Sequence, residues 1–239
     1  METNQNVKQE IKEAVCKANI RLKTEGLVMM TWGNISAIDR ETGLVYIKPS
    51  GVPYEKLTPE MIVVTDLEGR AVGGELRPSS DLPTHLCLYK NFDDIGAVVH
   101  THSKFATVWA QAGQPIPVLG TTHADTFNAA IPCTAPMIRD EINSNYEHNI
   151  GESIVRALSN YYEGVPAVLV HGHGAFCFAD DAESALETAE ILEQVAAMAY
   201  HTIMINPAAQ PISVALLNRH FYRKHGKDAY YGQIEPGKD

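Results

Sequence analysis

Two short stretches of the chain set imidazoles two residues apart: His100 and His102 in VVHTHS, and His171 and His173 in VLVHGHG. In an extended strand, side chains two apart leave on the same face, so each pair can aim two ring nitrogens at one point. Each pair also closes a run of apolar residues, where a chain passes from the core into a crevice. Three neutral imidazoles around an open fourth position form a catalytic zinc site. One histidine at a strand end is more often a hydrogen-bonded structural residue. Two pairs placed alike weaken that account, and a metal centre is the expectation. Spacing alone leaves open which three of the four bind, and His173, between two glycines, could equally shape a turn. The hydrolase pattern His-x-His-x-Asp-His is a rival, but Ser103, Lys104 and Phe105 follow His102, so its second half is missing.

Three further pieces suit an anion. TWGN at 31–34, KPSG at 48–51 and RPSSD at 77–81 put glycine and small polar residues at turns beside predicted elements. Backbone N–H groups exposed at such turns and at helix starts, joined by hydroxyl donors, match a phosphate. Lys48 adds a local cation. Taken singly, TWGN or KPSG is an ordinary turn, and SSD is an ordinary helix cap.

The elements that must hold these residues follow from apolar periodicity. Val7, Ile11, Val15, Ala18 and Leu22 recur at helical spacing and predict a helix over 6–24. Strands are predicted at 35–38, 44–48 and 61–67, and a helix at 82–92 after Ser79, Ser80 and Asp81. A buried-type strand at 95–100 leads to a helix at 103–112, and a second such strand covers 166–171. Helices at 182–205 and 214–225 complete the pattern. Interleaved strands and helices without a low-complexity linker predict an α/β protein, one domain over 1–239, layered around a mixed sheet.

Length and charge exclude some roles. A chain of 239 residues buries enough surface to be stable without disulfide or metal staples. Nineteen basic against twenty-nine acidic residues give a formal charge of −10, which repels nucleic acid and anionic membranes. A phosphorylated small molecule then needs its positive charge from the pocket itself. The polar N-terminus carries no secretory pattern, and no apolar run is long enough to span a membrane. Cys16, Cys87, Cys133 and Cys177 form no CxxC pair, so reduced thiols in a cytoplasmic protein are expected. No GxGxxG follows a strand, so a bound nicotinamide is not supported.

Read together, TWGNISA, IKPSGV, RPSSDLPTH, VVHTHS, ATVWAQAGQ, GTTHAD, IPCT, VLVHGHG and RKHGKDAYYGQ resemble the class II aldolase/adducin family over more than two hundred residues. The resemblance implies a three-layer α/β/α sandwich and a homo-oligomer, usually a cyclic tetramer with sites between subunits. It implies zinc, or another divalent ion, held by His100, His102 and His171, with Asp81 completing the shell. Gly33, Asn34, Ser50, Gly51, Ser79 and Ser80 fall on the family's substrate and phosphate contacts, with Lys48 beside them. Asp125 in THAD and Tyr231 in YYGQ fall on its two proton-transfer residues, and the tyrosine could come from a neighbouring subunit. The family's aldolases carry Glu where Asp81 stands and lack THAD and YYGQ, so the likeness is to the epimerases that interconvert L-ribulose 5-phosphate and D-xylulose 5-phosphate. A sugar-phosphate aldolase and a metal-free, adducin-like assembly module are the alternatives.

Overall fold

The structure is a computed structural model that describes residues 7–159, 164–227 and 229–231. In chain order the elements are α1 (Gln9–Thr24), β1 (Asn34–Asp39), β2 (Leu44–Ile47), β3 (Val63–Thr65), α2 (Leu82–Asn91), β4 (Ala97–Thr101), α3 (Lys104–Ala112), α4 (Thr121–Ala124), α5 (Arg139–Asn143), α6 (Tyr146–Leu158), β5 (Ala167–Val170), β6 (Gly174–Ala179), α7 (Ala182–Ile205) and α8 (Val214–Tyr222). The six strands form one sheet in the order β3-β2-β1-β4-β6-β5.

Helices cover both faces of the sheet. Ile35, Ala37, Ala97, Val99, Ala175 and Cys177 point to one side and pack with residues of α1, α3 and α7. The alternate residues Ile38, Val98, Phe176 and Phe178 point to the other, where Leu86 and Leu88 of α2 meet Ile150, Ile154 and Leu158 of α6. This period-two division is why these strands read as continuous apolar runs rather than as alternating ones. Each large apolar side chain buried in this way contributes about 1.5–3 kcal/mol. The helix starts follow local chemistry: Asp181 accepts from the Ser184 N–H at the start of α7, and Ser213 from that of Leu216 at α8.

The expected three layers are present, but the expected mixed sheet needs correction. Every ladder between the six strands is antiparallel. Among the described residues the parallel component is one bridge, Cys133 with Leu169, at the β5 edge. For two of the ladders the reason is connection length. Residues 40–43 join β1 to β2 and residues 171–173 join β5 to β6, far shorter than a parallel crossover requires. Four elements were absent from the sequence expectations: the short helices α4 and α5, the longer α6, and β6, the strand that follows the second histidine pair. The apolar run predicted as a strand at 61–67 narrows to Val63–Thr65, because Pro59–Met61 forms a single 3₁₀ turn before it.

Candidate functional site

Strand register begins the site. Asn34 of β1 lies opposite His100 of β4, and His100 lies opposite Phe176 of β6. The His100 ring stacks on Phe176, with centroids 4.3 Å apart and planes 17° apart. Its Nδ1 is 3.0 Å from the Ala175 carbonyl, which can only accept, so Nδ1 carries a proton and Nε2 is the nitrogen turned toward the cleft. His102, two residues on, brings its Nε2 to 3.2 Å from that atom. His173, in the turn between β5 and β6, brings its Nε2 to 3.2 Å as well. Burial pushes the His102 and His173 imidazoles down to about 4, with the field of His100 adding to it, so both are neutral bases near pH 7.

His171 is the sequence expectation that the structure overturns. It is exposed, its backbone N–H donates to the Thr134 hydroxyl, and its ring lies over Gly113. A Cβ at Gly113 would come within 2.7 Å of that ring. The tight β5–β6 turn changes the backbone direction between the two histidines. They therefore do not share a face as they would in a continuing strand, and His173 is the one that joins His100 and His102.

The three Nε2 atoms converge on one point of the cleft. Zinc–nitrogen bonds of about 2.0–2.1 Å at tetrahedral angles place ligand nitrogens about 3.3–3.4 Å apart. The two 3.2 Å spacings match that figure, so the donor set fits a divalent ion.

Asp81 opens into the same cleft. It precedes α2, yet its side chain makes no capping hydrogen bond to the helix. Its carboxylate instead accepts from Asn34 Nδ2 at 2.6 Å. Burial alone would raise this carboxyl, but the fields of His100 and His85 and the Asn34 bond outweigh it and hold the group below its ordinary range. Asn34 Oδ1 is buried with no hydrogen-bond partner among the described residues, which leaves an acceptor for a bound hydroxyl or cation.

The loops predicted to suit an anion meet here. Gly33, Asn34, Lys48, Ser50, Gly51, Ser79, Ser80 and Asp81 line one cleft of about 560 Å³ with His100, His102 and His173. Backbone bonds hold the loops side by side: Ser50 N–H to Arg77 O, and Ser79 N–H to Lys48 O, each 3.0 Å. The Tyr54 hydroxyl donates to Gly33 O at 2.7 Å and lies 3.0 Å from Trp32 O, which fixes the TWGN turn. Gly33 has φ +92°, and a Cβ there would fall 2.8 Å from His100 O and 2.7 Å from Val28 Cγ1. Only glycine lets this turn lie against β4. Lys48 is buried, with Nζ 3.3 Å from Pro49 O and 4.8 Å above the Tyr54 ring, and burial pushes its amine down to about 8.

Asp125 and Tyr231 are brought near each other but lie outside this cleft. The Asp125 carboxylate accepts from Arg223 at 2.7 Å and from His220 at 2.9 Å, with Lys224 at 3.6 Å. Burial would raise it, but the Arg223 and His220 bonds hold it below its ordinary range. The Tyr231 ring lies 4.9 Å from the Arg223 guanidinium and 4.5 Å from Lys224 Nζ, and the side chain is 61% exposed. Residues 232–239, which include the last two of YYGQ, lie outside the described residues.

A buried relay beneath the cleft had no sequence expectation. His85 Nδ1 is 2.7 Å from Ser36 Oγ, which is 2.7 Å from the Tyr89 hydroxyl, and burial pushes His85 down to about 3. Its signal was the four-residue spacing from Asp81, which puts both on one side of α2.

Comparison with known proteins identifies the family. A family model described as the Class II Aldolase and Adducin N-terminal domain matches residues 13–200. The chain is 50% identical over 226 residues to "L-ribulose-5-phosphate 4-epimerase UlaF" of Salmonella paratyphi B, covering 94% of this chain and 99% of that one. The protein of the same name from Salmonella typhi matches to the same extent. A solved structure of L-fuculose 1-phosphate aldolase superposes with a TM-score of 0.78 at 26% identity, covering 91% of this chain and 97% of that one. L-fuculose-1-phosphate aldolase from Thermus thermophilus shares the fold, with a TM-score of 0.66 at 22% identity over 86% of this chain and 100% of that one. The chain belongs to the class II aldolase and adducin family.

Proposed function

We propose that this chain is a divalent-metal-dependent epimerase that inverts carbon 4 of a ketopentose phosphate, interconverting L-ribulose 5-phosphate and D-xylulose 5-phosphate. The observation that carries the reading is the shared cleft, where a three-imidazole donor set meets the glycine- and hydroxyl-rich loops. The 50% identity to a protein named for this activity, over nearly the full length of both, supports it. His100, His102, His173 and Asp81 would hold the ion, zinc by the donor types. When bound, the ion would supply Lewis acidity toward the sugar's ketone and hydroxyl oxygens.

The hydrogen on carbon 4 is not adjacent to the ketone at carbon 2, so its removal would leave an unstabilised carbanion. Cleavage between carbons 3 and 4 avoids this. A base takes the carbon-4 hydroxyl proton, and the C3–C4 electron pair passes into the ketone. Dihydroxyacetone enediolate and glycolaldehyde phosphate result. Rotation of the aldehyde and re-addition to its other face remake the bond, and the proton returns to the new hydroxyl.

In this scheme Lys48, Ser50, Gly51, Ser79 and Ser80, with Gly33 and Asn34, grip the phosphate and keep the aldehyde from leaving. That retention is what separates an epimerase from an aldolase. Asp125 and Tyr231 serve as the acid–base pair, one on each face of the aldehyde. Because both lie outside the cleft of their own chain, they act in a neighbouring subunit's site, as in a cyclic homotetramer with interfacial centres. The exposed apolar residues Met204, Ile205 and Val214 at the α7–α8 junction support a covered surface there. Four free cysteines support a reducing, cytoplasmic setting.

The test is turnover of L-ribulose 5-phosphate in a coupled assay, with metal analysis of the same protein. D-xylulose 5-phosphate as the main product and one divalent ion per chain are expected. Free glycolaldehyde phosphate as the main product would make the chain an aldolase. No turnover and no ion would make it a scaffold.

A further inference from the structure

The seam between α2 and α6 holds a second set of convergent donors, apart from the histidine cleft and independent of the function proposed for it. Cys87 Sγ, His148 Nε2 and a Glu152 carboxylate oxygen all lie within 4.8 Å of one another. Sγ is 3.4 Å from Glu152 Oε1, and His148 Nε2 is 3.7 Å from the same oxygen. A tetrahedral ion with bonds of about 2.3 Å to sulfur and 2.0–2.1 Å to nitrogen and oxygen sets those edges at about 3.5 and 3.3 Å. Both observed gaps are within about 0.4 Å of these values.

The helices are built to make this meeting. His148 and Glu152 are four apart on α6 and so share one face. The residue of α6 that faces Cys87 is Gly151, and a Cβ there would lie 2.5 Å from Cys87 Cβ and 2.9 Å from its Sγ. The missing side chain lets α2 approach closely enough for the thiol to emerge beside the pair. Cys87 is buried, while the His148 and Glu152 side chains are 51% and 43% exposed, so an ion can enter from solvent and keep an open position. A thiol-to-carboxylate hydrogen bond accounts for Cys87 with Glu152, and an i,i+4 contact accounts for His148 with Glu152. What points to an ion is that donors from two helices converge on one place, all within 4.8 Å of one another.

We propose that Cys87, His148 and Glu152 form a second metal site, for a borderline-to-soft divalent cation of the zinc and cadmium class, that ties α2 to α6. Thiolate, imidazole and carboxylate together favour such ions over magnesium or calcium. On binding, the thiol proton leaves to solvent as the sulfur–metal bond forms.

The probe is cadmium ion alone, titrated into the full-length protein while the ultraviolet cadmium–thiolate charge-transfer band is read. The histidine cleft contains no sulfur and is silent in this assay. One equivalent of band per chain is expected. It should vanish in Cys87→Ser, persist in Cys133→Ser and His173→Asn, and need about 10–100-fold more cadmium in His148→Ala. His148 is exposed, so that variant keeps the fold and tests the site by itself. No band in the unaltered protein, a full band in Cys87→Ser, loss of the band in Cys133→Ser, or unchanged affinity in His148→Ala would overturn the proposal.

Discussion

The cleft's only cation, among the residues that line it, is Lys48, and its amine is held near 8 by burial. Against an ordinary value of about 10.4, this is a penalty of roughly 3 kcal/mol on the charged form. The consequence for catalysis has a definite sign. Below about pH 8 the amine carries the charge that a phosphate needs, and above it the charge is lost. The substrate's phosphate has its second pKa near 6, so it stays dianionic over this range and contributes no alkaline limb. kcat/KM should therefore fall by about tenfold per pH unit above pH 8, through KM rather than kcat. Lys48→Met removes the titrating group. At an effective dielectric of about 20 a pair of unit charges 4 Å apart is worth about 4 kcal/mol, so the variant should raise KM at pH 7 by at least ~10²-fold. Its kcat/KM profile should then be flat between pH 7.5 and 9.5, within about twofold. The assay is steady-state epimerisation across that range at constant ionic strength. An alkaline limb of unchanged slope in Lys48→Met would refute the reasoning, because some other group would then be responsible.

Three further outcomes are expected. His173→Asn should weaken metal binding by at least ~100-fold, whereas His171→Asn should leave metal content unchanged, as read by elemental analysis after dialysis. Gly33→Ala must fit a Cβ against His100 O at a positive φ. It should cost about 1–3 kcal/mol, a fall of roughly 2–12 °C in Tm by calorimetry, and should weaken metal binding as β4 is displaced. Asp125→Asn and Tyr231→Phe should each lower kcat by ~10²-fold or more while metal content stays at the unaltered level. Near-full activity in both would remove them from the acid–base assignment.

Agreement between sequence and structure follows the range of the physics. Where a residue's role depends on its neighbours in the chain, the expectation and the structure agree. Apolar runs flank His100 and His102, and the small polar loops around Lys48 and Ser79 fall beside strands. The helix after Asp81 begins at Leu82, as Ser79, Ser80 and Asp81 imply. α6 was legible in principle, since Ile150, Ile154 and Leu158 recur every four residues. Gly151 and the polar residues between them masked the stripe. β6 was obscured because the glycines of HGHG read as the end of an element, when they are the turn of a hairpin.

What the amino-acid sequence determined by itself was the chemistry on offer: paired imidazoles, a carboxylate at a helix start, a lysine among small residues, and the apolar periods that build two cores. Tertiary structure alone decided the selection. A three-residue turn sent His173 into the centre and His171 over Gly113. Cross-strand register placed Asn34 beside His100 and so drew Asp81 away from capping α2. Folding also left Asp125 and Tyr231 outside the cleft of their own chain. The reason is that side-chain direction at a turn, and proximity between segments fifty or more residues apart, depend on how strands pair and helices pack. Local spacing carries no record of either.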